Sequence, residues 1–153
     1  PDAVAGPPGP RVAEVLAAEE AAGLHTVDGH DGFAASVSAI RDDLVEFLID
    51  ARRAGATVVG YGAPGKGNTL LNYCGVRPDL LTYTVDRNPY KHGRFTPGTR
   101  IPIHEPDRIA KDRPAYVLVL PWNLREELTE QLAYVREWGG ALVFPIPRLE
   151  IVR

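Results

Sequence analysis

Three glycines stand at a spacing that suits phosphate binding. Gly60, Gly62 and Gly65 give the pattern G-x-G-x-x-G, directly after the β-branched run ATVVGY, which predicts a strand. Glycines let a backbone approach a phosphate closely, and a helix N-terminus offers free N–H groups and a positive dipole. Asp86 follows after about twenty residues, at the end of the next predicted strand, where a carboxylate can accept hydrogen bonds from a ribose. The spacing predicts a dinucleotide-type loop from Gly60 to Asn68.

The same residues nearly form the P-loop of nucleoside triphosphatases. Gly60, Gly65 and Lys66 fit the pattern G-x-x-x-x-G-K. The next residue of a P-loop is a Ser or Thr whose hydroxyl binds Mg²⁺. Gly67 stands there instead, and Thr69 could replace the hydroxyl only out of register. The sequence therefore disfavours a triphosphatase.

Two further interpretations concern the same loop. An S-adenosylmethionine site usually carries an acid in or just after the first strand, where this sequence has Val58 and Val59, and we expect no closing antiparallel hairpin. Such a site is therefore disfavoured here. A loop that only permits a tight turn stays open, but Lys66, Asn68 and Thr69 argue against it. They place a cation, an amide and a hydroxyl on the first helical turn, beside the crevice where α/β folds bind ligands.

Alternating strands and helices must position these groups. The continuously apolar run AYVLVL is typical of a strand buried on both faces. Strands that alternate with helices imply right-handed crossovers and a mostly parallel sheet, so we predict a Rossmann-like α/β fold with flanking helices. The predicted strands cover 56–61, 80–86, 101–104, 115–120 and 139–147. The predicted helices cover 11–23, 31–54, 105–111 and 123–138, the last with Leu124, Leu128, Leu132 and Val135 facing inward. Residues 63–74 are predicted to be a loop that runs into a further helix.

Composition divides the chain of 153 residues into three parts. Residues 1–10 are rich in Pro, Gly and Ala, and we expect a flexible lead-in or linker. Residues 11–55 are predicted to be a helical segment that packs on the domain. Residues 56–153 are predicted to form one Rossmann-like unit that binds a nucleotide sugar. Because the chain has no methionine and begins on a linker-like stretch, we favour a piece of a longer protein.

Bulk properties exclude several classes of function. The formal net charge is −3 and basic residues are not clustered, which argues against a nucleic-acid partner. The single cysteine, Cys74, cannot form an internal disulfide, and no Cys/His cluster has zinc spacing. No apolar run reaches membrane-spanning length, and no signal peptide opens the chain. We therefore expect a cytoplasmic protein with no membrane partner.

Three segments carry a family resemblance. GYGAPGKGNTLLNYCG, TVDRNPYKHGRFTPGTRIPI and LVLPWNLREEL occur in this order. They closely resemble the C-terminal domain of the sugar C-methyltransferases, and the resemblance covers about residues 31–148. Enzymes of this family use S-adenosylmethionine to methylate a carbon of a nucleotide-linked deoxyhexose, in the biosynthesis of natural products. Three motifs at matching spacing are more specific than any one of them.

The resemblance implies an architecture larger than this chain. In the family, an N-terminal zinc-binding domain and a central methyltransferase domain precede the Rossmann-like domain. It implies that S-adenosylmethionine, the structural zinc and the catalytic acid/base residues belong to those upstream domains, and that this chain binds no cofactor itself. The expected partners are the nucleotide-linked sugar and the upstream methyltransferase domain, with a homo-oligomer left open. We do not expect the isolated chain to transfer a methyl group.

The residues that we predict to bind the substrate lie at the carboxyl ends of predicted strands or on the first helical turns after them. We assign none of them to catalysis or to a metal. Asp86 and Asn88 could equally form a turn before Pro89, Trp122 could simply pack, and Asn123 is favoured as a helix N-cap. The predicted set is Gly60, Gly62, Ala63, Pro64, Gly65, Lys66, Gly67, Asn68, Thr69, Asn72, Asp86, Arg87, Asn88, Lys91 and Trp122.

Two other functions remain open from the sequence. One is an NAD(P)-binding domain of an oxidoreductase, which the glycine pattern and Asp86 would also suit. The other is a structural domain that docks on a catalytic core or forms an oligomer. About thirty residues precede the first strand beyond what a simple dinucleotide domain needs, which favours packing against an upstream domain.

Overall fold

The computed structural model describes residues 9–153, so most of the predicted lead-in at 1–10 lies outside the described residues. The chain divides into two compact units, one ending at Val37 and the other running from Ser38 to Arg153. The smaller unit contains helix α1 (Pro10–Ala21), a 3-10 turn (Asp28–His30) and the start of helix α2 (Phe33–Arg53). Pro10 opens α1, where its missing N–H costs nothing, and Gly23 follows the helix at a φ of +71°.

A six-stranded sheet forms the centre of the larger unit. Its order is β3-β2-β1-β4-β5-β6, and every neighbouring pair is parallel except β5 and β6. The order reverses between β1 and β4, which is the point where open α/β sheets bind ligands. The predicted Rossmann-like fold is therefore confirmed. The strands are β1 (Val58–Tyr61), β2 (Thr84–Val85), β3 (Ile103–His104), β4 (Tyr116–Val119), β5 (Ala141–Phe144) and β6 (Glu150–Val152).

Helices cover both faces of this sheet. Side chains alternate along the strands, so Val58 and Leu118 face one core while Val59 and Val117 face the other. Leu44 and Leu48 of α2 are fully buried in the first core, together with residues of helix α3 (Gly65–Tyr73). The second core is covered by helices α4 (Arg108–Asp112) and α5 (Arg125–Gln131).

Three local predictions are wrong. We expected no antiparallel closing hairpin, yet β6 runs antiparallel to β5. A three-residue strand that includes an exposed Glu150 has too little apolar periodicity to be found in a sequence. The predicted helix at 123–138 is broken into a 3-10 turn (Trp122–Leu124), α5 and a second 3-10 stretch (Ala133–Trp138), and Leu124 is exposed rather than inward.

The second strand is also shorter than predicted. The sequence suggested 80–86, but only Thr84 and Val85 form ladder pairs, with β1 on one side and β3 on the other. Thr84 and Val85 are nevertheless buried, and they end at Asp86 as expected. The position of Asp86 relative to the glycine loop was therefore predicted correctly, although the strand length was not.

Candidate functional site

The glycine loop lies at the carboxyl end of β1, beside the loop that follows β4. Gly62 has a φ of +83°, and a Cβ built there would lie 2.7 Å from Cγ of Pro121. A Cβ on Gly67 would lie 2.8 Å from Cβ of Leu120. Gly60 is equally tight, since its Cβ would meet Thr84 of β2. These three glycines are therefore required by close packing within the chain.

Gly65 differs from the other glycines of the loop. A Cβ added to it would meet nothing within 4 Å. Helix α3 begins at this residue, and its N-cap, Pro64, provides no side-chain hydrogen bond. Within the described part of the chain, nothing accepts a hydrogen bond from the N–H of Gly65, Lys66 or Gly67, whereas that of Asn68 bonds to the carbonyl of Pro64. The first turn of α3 thus presents three free donors and a positive dipole end.

Asp86 does not stand free at the end of β2. Its Oδ2 accepts hydrogen bonds from the N–H of Ala63 and from Nζ of Lys91, both at 2.8 Å. Its Oδ1 accepts from the N–H of Asn88 at 2.9 Å, and only 12% of the side chain is exposed. Burial by itself would raise the pKa of Asp86, but the hydrogen bonds from Lys91, Asn88 and Ala63 hold that pKa below its ordinary value. The carboxylate is therefore charged and occupied.

Lys91 fastens the same loop a second time. Its Nζ also donates to the carbonyl of Ala63 at 3.1 Å. Both the N–H and the C=O of Ala63 are therefore bonded to side chains of the segment after β2. The short 3-10 turn Pro89–Lys91 that carries the lysine is capped by Asn88, whose Oδ1 accepts from the N–H of Tyr90. Asp86 and Asn88 therefore form the turn before Pro89 that the sequence had left open for them. This turn positions Lys91.

A cavity of about 300 Å³ adjoins the glycine loop on this side. Asn68 reaches it from α3, and its Oδ1 is buried without a donor among the described residues. The far wall of the cavity is formed by the loop that includes Arg94 and Pro97. The lining residues are Ala63, Pro64, Gly65, Asn68, Lys91, Arg94, Phe95, Thr96, Pro97 and Ile103.

Asn72 and Thr69 make contacts inside the chain. The amide of Asn72 donates to the carbonyls of Asn68 at 2.8 Å and Pro97 at 3.0 Å, which ties the cavity wall to α3. The hydroxyl of Thr69 donates to the carbonyl of Gly65. Their ligand roles stay predictions. Arg87 is exposed and lines a separate cavity of about 150 Å³ with Tyr61 of β1.

Lys66 crosses the crevice to the loop after β4. Its Nζ donates to Oδ1 of Asn123 and lies 4.8 Å from the centre of the Trp122 ring. The expectation that Asn123 caps a helix is wrong, because Leu124 occupies the N-cap of α5 and Asn123 lies inside a 3-10 turn. The residue is thus a member of the site that the sequence missed. Its only signal was its place after a buried strand at the sheet's carboxyl edge.

Two features are absent from the described residues: a cluster of metal-ligating side chains and a helix that could span a membrane. No group of three or more His, Cys, Asp or Glu side chains in residues 9–153 could hold a metal ion. None of the helices over the same range is long and apolar enough to cross a membrane. Burial raises the pKa of the Cys74 thiol to about 11, so this residue is protonated at neutral pH.

Comparison with known proteins adds a family and a relative. A family model described as the C-methyltransferase C-terminal domain matches residues 2–147. C-methyltransferase NovU of Streptomyces niveus is 35% identical over 143 residues, which cover 94% of this chain and 34% of the relative. The chain therefore spans about a third of that relative's length.

A solved structure also resembles this chain. The crystal structure of UDP-D-quinovosamine 4-dehydrogenase from Vibrio fischeri matches with a TM-score of 0.43 and 21% sequence identity. The match covers 64% of this chain and 93% of that one. A similarity of this size does not bear on function.

Proposed function

Because the chain belongs to the family of C-methyltransferase C-terminal domains, we propose that it binds the substrate, a nucleotide-linked deoxyhexose, of an S-adenosylmethionine-dependent C-methyltransferase. The proposed site is the first turn of α3 and the loop before it. The ligand's diphosphate would accept hydrogen bonds from the free N–H groups of Gly65, Lys66 and Gly67. These three donors are the observation that carries the proposal.

Charge supports a diphosphate at this point. Lys66 extends from the first helical turn, where a cation opposes the helix dipole and gains nothing from the helix itself. An anion bound there would be stabilised by both the lysine and the dipole. Lys91, on the other side of the loop, is paired with Asp86, so Lys66 is the cation that the proposal assigns to the diphosphate.

The cavity beside the loop supplies room for the group attached to the diphosphate. Its volume of about 300 Å³ is at the small end of the range for ligand sites. Its walls combine apolar side chains, such as Phe95 and Ile103, with the unpartnered amide oxygen of Asn68. A ligand donor that reached this oxygen would relieve the cost of leaving a buried acceptor unpaired.

The methyl donor does not fit this chain's own residues. The strand before the glycine loop carries Val59 where an acid is usual, and Asp86 is already occupied by three donors. We place S-adenosylmethionine, the structural zinc and the base that removes a proton next to the sugar's keto group in the part of the parent protein outside this chain. The proposed partner is therefore the upstream methyltransferase domain of that protein, in biosynthesis of unusual sugars.

Calorimetry with four ligands tests the proposal. We expect thymidine diphosphate to bind, and NAD⁺, NADP⁺ and S-adenosylmethionine not to. Lys66→Met should weaken thymidine diphosphate by about ten-fold, because one charged phosphate contact is lost. The matched control is Lys111→Met, which removes an exposed lysine of α4 that pairs with Glu105 and does not line the cavity beside the loop. It should leave the affinity unchanged.

Two results would contradict this proposal. Binding of NAD⁺ without thymidine diphosphate would favour the oxidoreductase alternative. Binding of none of the four, with no effect of Lys66→Met, would leave a structural role in docking or in assembly of several copies.

A further inference from the structure

We infer that Lys91 determines specificity: it reserves Asp86 for the glycine loop, so that the site does not read the ribose hydroxyls of its ligand. This inference rests on the proposed function, since it concerns how a nucleotide is recognised at the same loop. It assigns Asp86 a positioning role in place of the ribose contact that its spacing suggested.

Asp86 stands where a carboxylate that binds ribose is found in related folds. In dinucleotide-binding folds, a carboxylate at the end of the second strand accepts hydrogen bonds from ribose hydroxyls. Asp86 holds this place, one residue after β2 and beside the loop that follows β1. The position of the acid is therefore that of a ribose reader, and only its contacts decide whether it can act as one.

Counting acceptor sites shows that it cannot hold a diol. An ionised carboxylate has about four lone-pair sites, two on each oxygen. Oδ2 already accepts from the N–H of Ala63 and from Nζ of Lys91. Oδ1 accepts from the N–H of Asn88, within a local turn. A diol needs one free site on each oxygen, and Oδ2 offers none.

Lys91 is the member of this arrangement that could be exchanged. The donors from Ala63 and Asn88 belong to the backbone and are fixed by the fold, whereas the ammonium group is a side chain that spans from a separate turn. Removing it would free one site on Oδ2 and leave the carboxylate with its full charge. A hydrogen bond to a charged acceptor is worth more than one to a neutral acceptor.

The consequence is a ligand site that recognises phosphate rather than sugar type. Ribonucleoside and 2′-deoxyribonucleoside diphosphates should bind about equally well, because Asp86 cannot hold the 2′- and 3′-hydroxyls together: the one acceptor site left on Oδ1 does not suffice for the diol. The same arrangement disfavours NAD⁺, whose adenosine ribose lacks its usual carboxylate partner.

The experiment compares two ligands that differ by one hydroxyl. Uridine diphosphate and 2′-deoxyuridine diphosphate are titrated into the ¹⁵N-labelled chain, and affinities are read from amide chemical shifts. We expect the two affinities to agree within about two-fold for the native chain. In Lys91→Met the ratio should rise to about ten-fold in favour of uridine diphosphate, the effect of one hydroxyl-to-carboxylate hydrogen bond. Lys91→Arg, which keeps the cation, and the control Lys111→Met should both retain the native ratio.

Each other outcome has a distinct meaning. If both nucleotides bind but the native chain prefers uridine diphosphate by about ten-fold, the inference is wrong and the proposed function stands. A ratio that stays near one in Lys91→Met, in a chain whose spectrum remains folded, also overturns it. If neither nucleotide shifts any resonance, the proposed function fails and this inference fails with it. The ratio of the two affinities in the native chain is measured without any variant. It can therefore overturn the inference even if Lys91→Met does not fold.

Discussion

The glycine loop is held on two sides by different physics. On the side of β2, two side chains hold it. Asp86 accepts a hydrogen bond from the N–H of Ala63, and Lys91 donates one to the carbonyl of Ala63 and one to Asp86. On the side of β4, close packing holds it. The backbone at Gly62 and Gly67 lies so near the side chains of Pro121 and Leu120 that a Cβ would not fit.

The difference explains which groups remain for a ligand. Lys91 is half-buried and committed to the loop, whereas Lys66 is exposed and its contact with Asn123 spans two solvent-facing side chains. The two lysines beside this loop therefore differ in their ability to bind a ligand. Lys91 stabilises the loop and therefore cannot also move freely to a phosphate. Lys66 has no comparable role in the fold and can reach one.

The largest expected effect is on the side held by packing. Gly62→Ala forces a residue with a Cβ into a φ of +83° and against Pro121. We expect a loss of about 3 kcal/mol in the free energy of unfolding, from left-handed backbone strain plus steric overlap. Urea unfolding followed by tryptophan fluorescence measures it, since both tryptophans lie in the larger unit.

Gly65→Ala is the matched control for this substitution. Its Cβ would meet nothing, and the first turn of a helix accepts alanine well, so stability should change by less than about 0.5 kcal/mol. If Gly62→Ala and Gly65→Ala lowered the free energy of unfolding equally, packing of Gly62 against the loop after β4 would not be the cause of the loss.

Asp86→Asn is expected to have the next largest effect, on the side held by side chains. The variant leaves Lys91 without its charged partner and weakens the bond from the N–H of Ala63. We expect about 2 kcal/mol of destabilisation, because a partly buried charge loses its counterion. The same urea experiment applies, and a loss below about 0.5 kcal/mol would mean that this ion pair does not fasten the loop.

The contribution of Asp86 should also depend on pH. Its pKa is lowered in the folded chain, so its stabilisation is complete above the unfolded pKa of about 3.9 and is lost as the pH falls through the folded pKa. Native chain and Asp86→Asn should therefore differ most in stability near neutral pH, and the difference should shrink below about pH 4. A constant difference from pH 7 to pH 3 would contradict the charged role.

The smallest expected effect is at the exposed contact. Asn123→Ala removes the acceptor of Lys66 but leaves the Trp122 ring beside the ammonium group. We expect stability to change by less than about 0.5 kcal/mol, as for most exposed polar contacts. A loss as large as that of Asp86→Asn would show that Lys66 stabilises the fold as Lys91 does, and that the two lysines do not differ.

The sequence by itself determined the fold class and the position of the glycine loop. Continuous apolar runs such as AYVLVL reflect burial on both faces of a parallel sheet, and this signal does not depend on distant contacts. The order of strands and helices then places Asp86 and Lys66 at the same edge of the sheet. The strand β6 and the breaks around α5 were missed, because short elements are decided by pairing with neighbours rather than by local periodicity.

Only the tertiary structure decided what the site residues do. Asp86, Lys91 and Asn123 are residue types that suit binding, but each has a partner far along the chain or across the crevice. The partner of Asp86 and Lys91 is Ala63, and that of Asn123 is Lys66. A hydrogen bond uses up a donor or an acceptor, and the residue that uses it is set by three-dimensional proximity. The same carboxylate that spacing assigns to a ribose is therefore assigned by its neighbours to the loop.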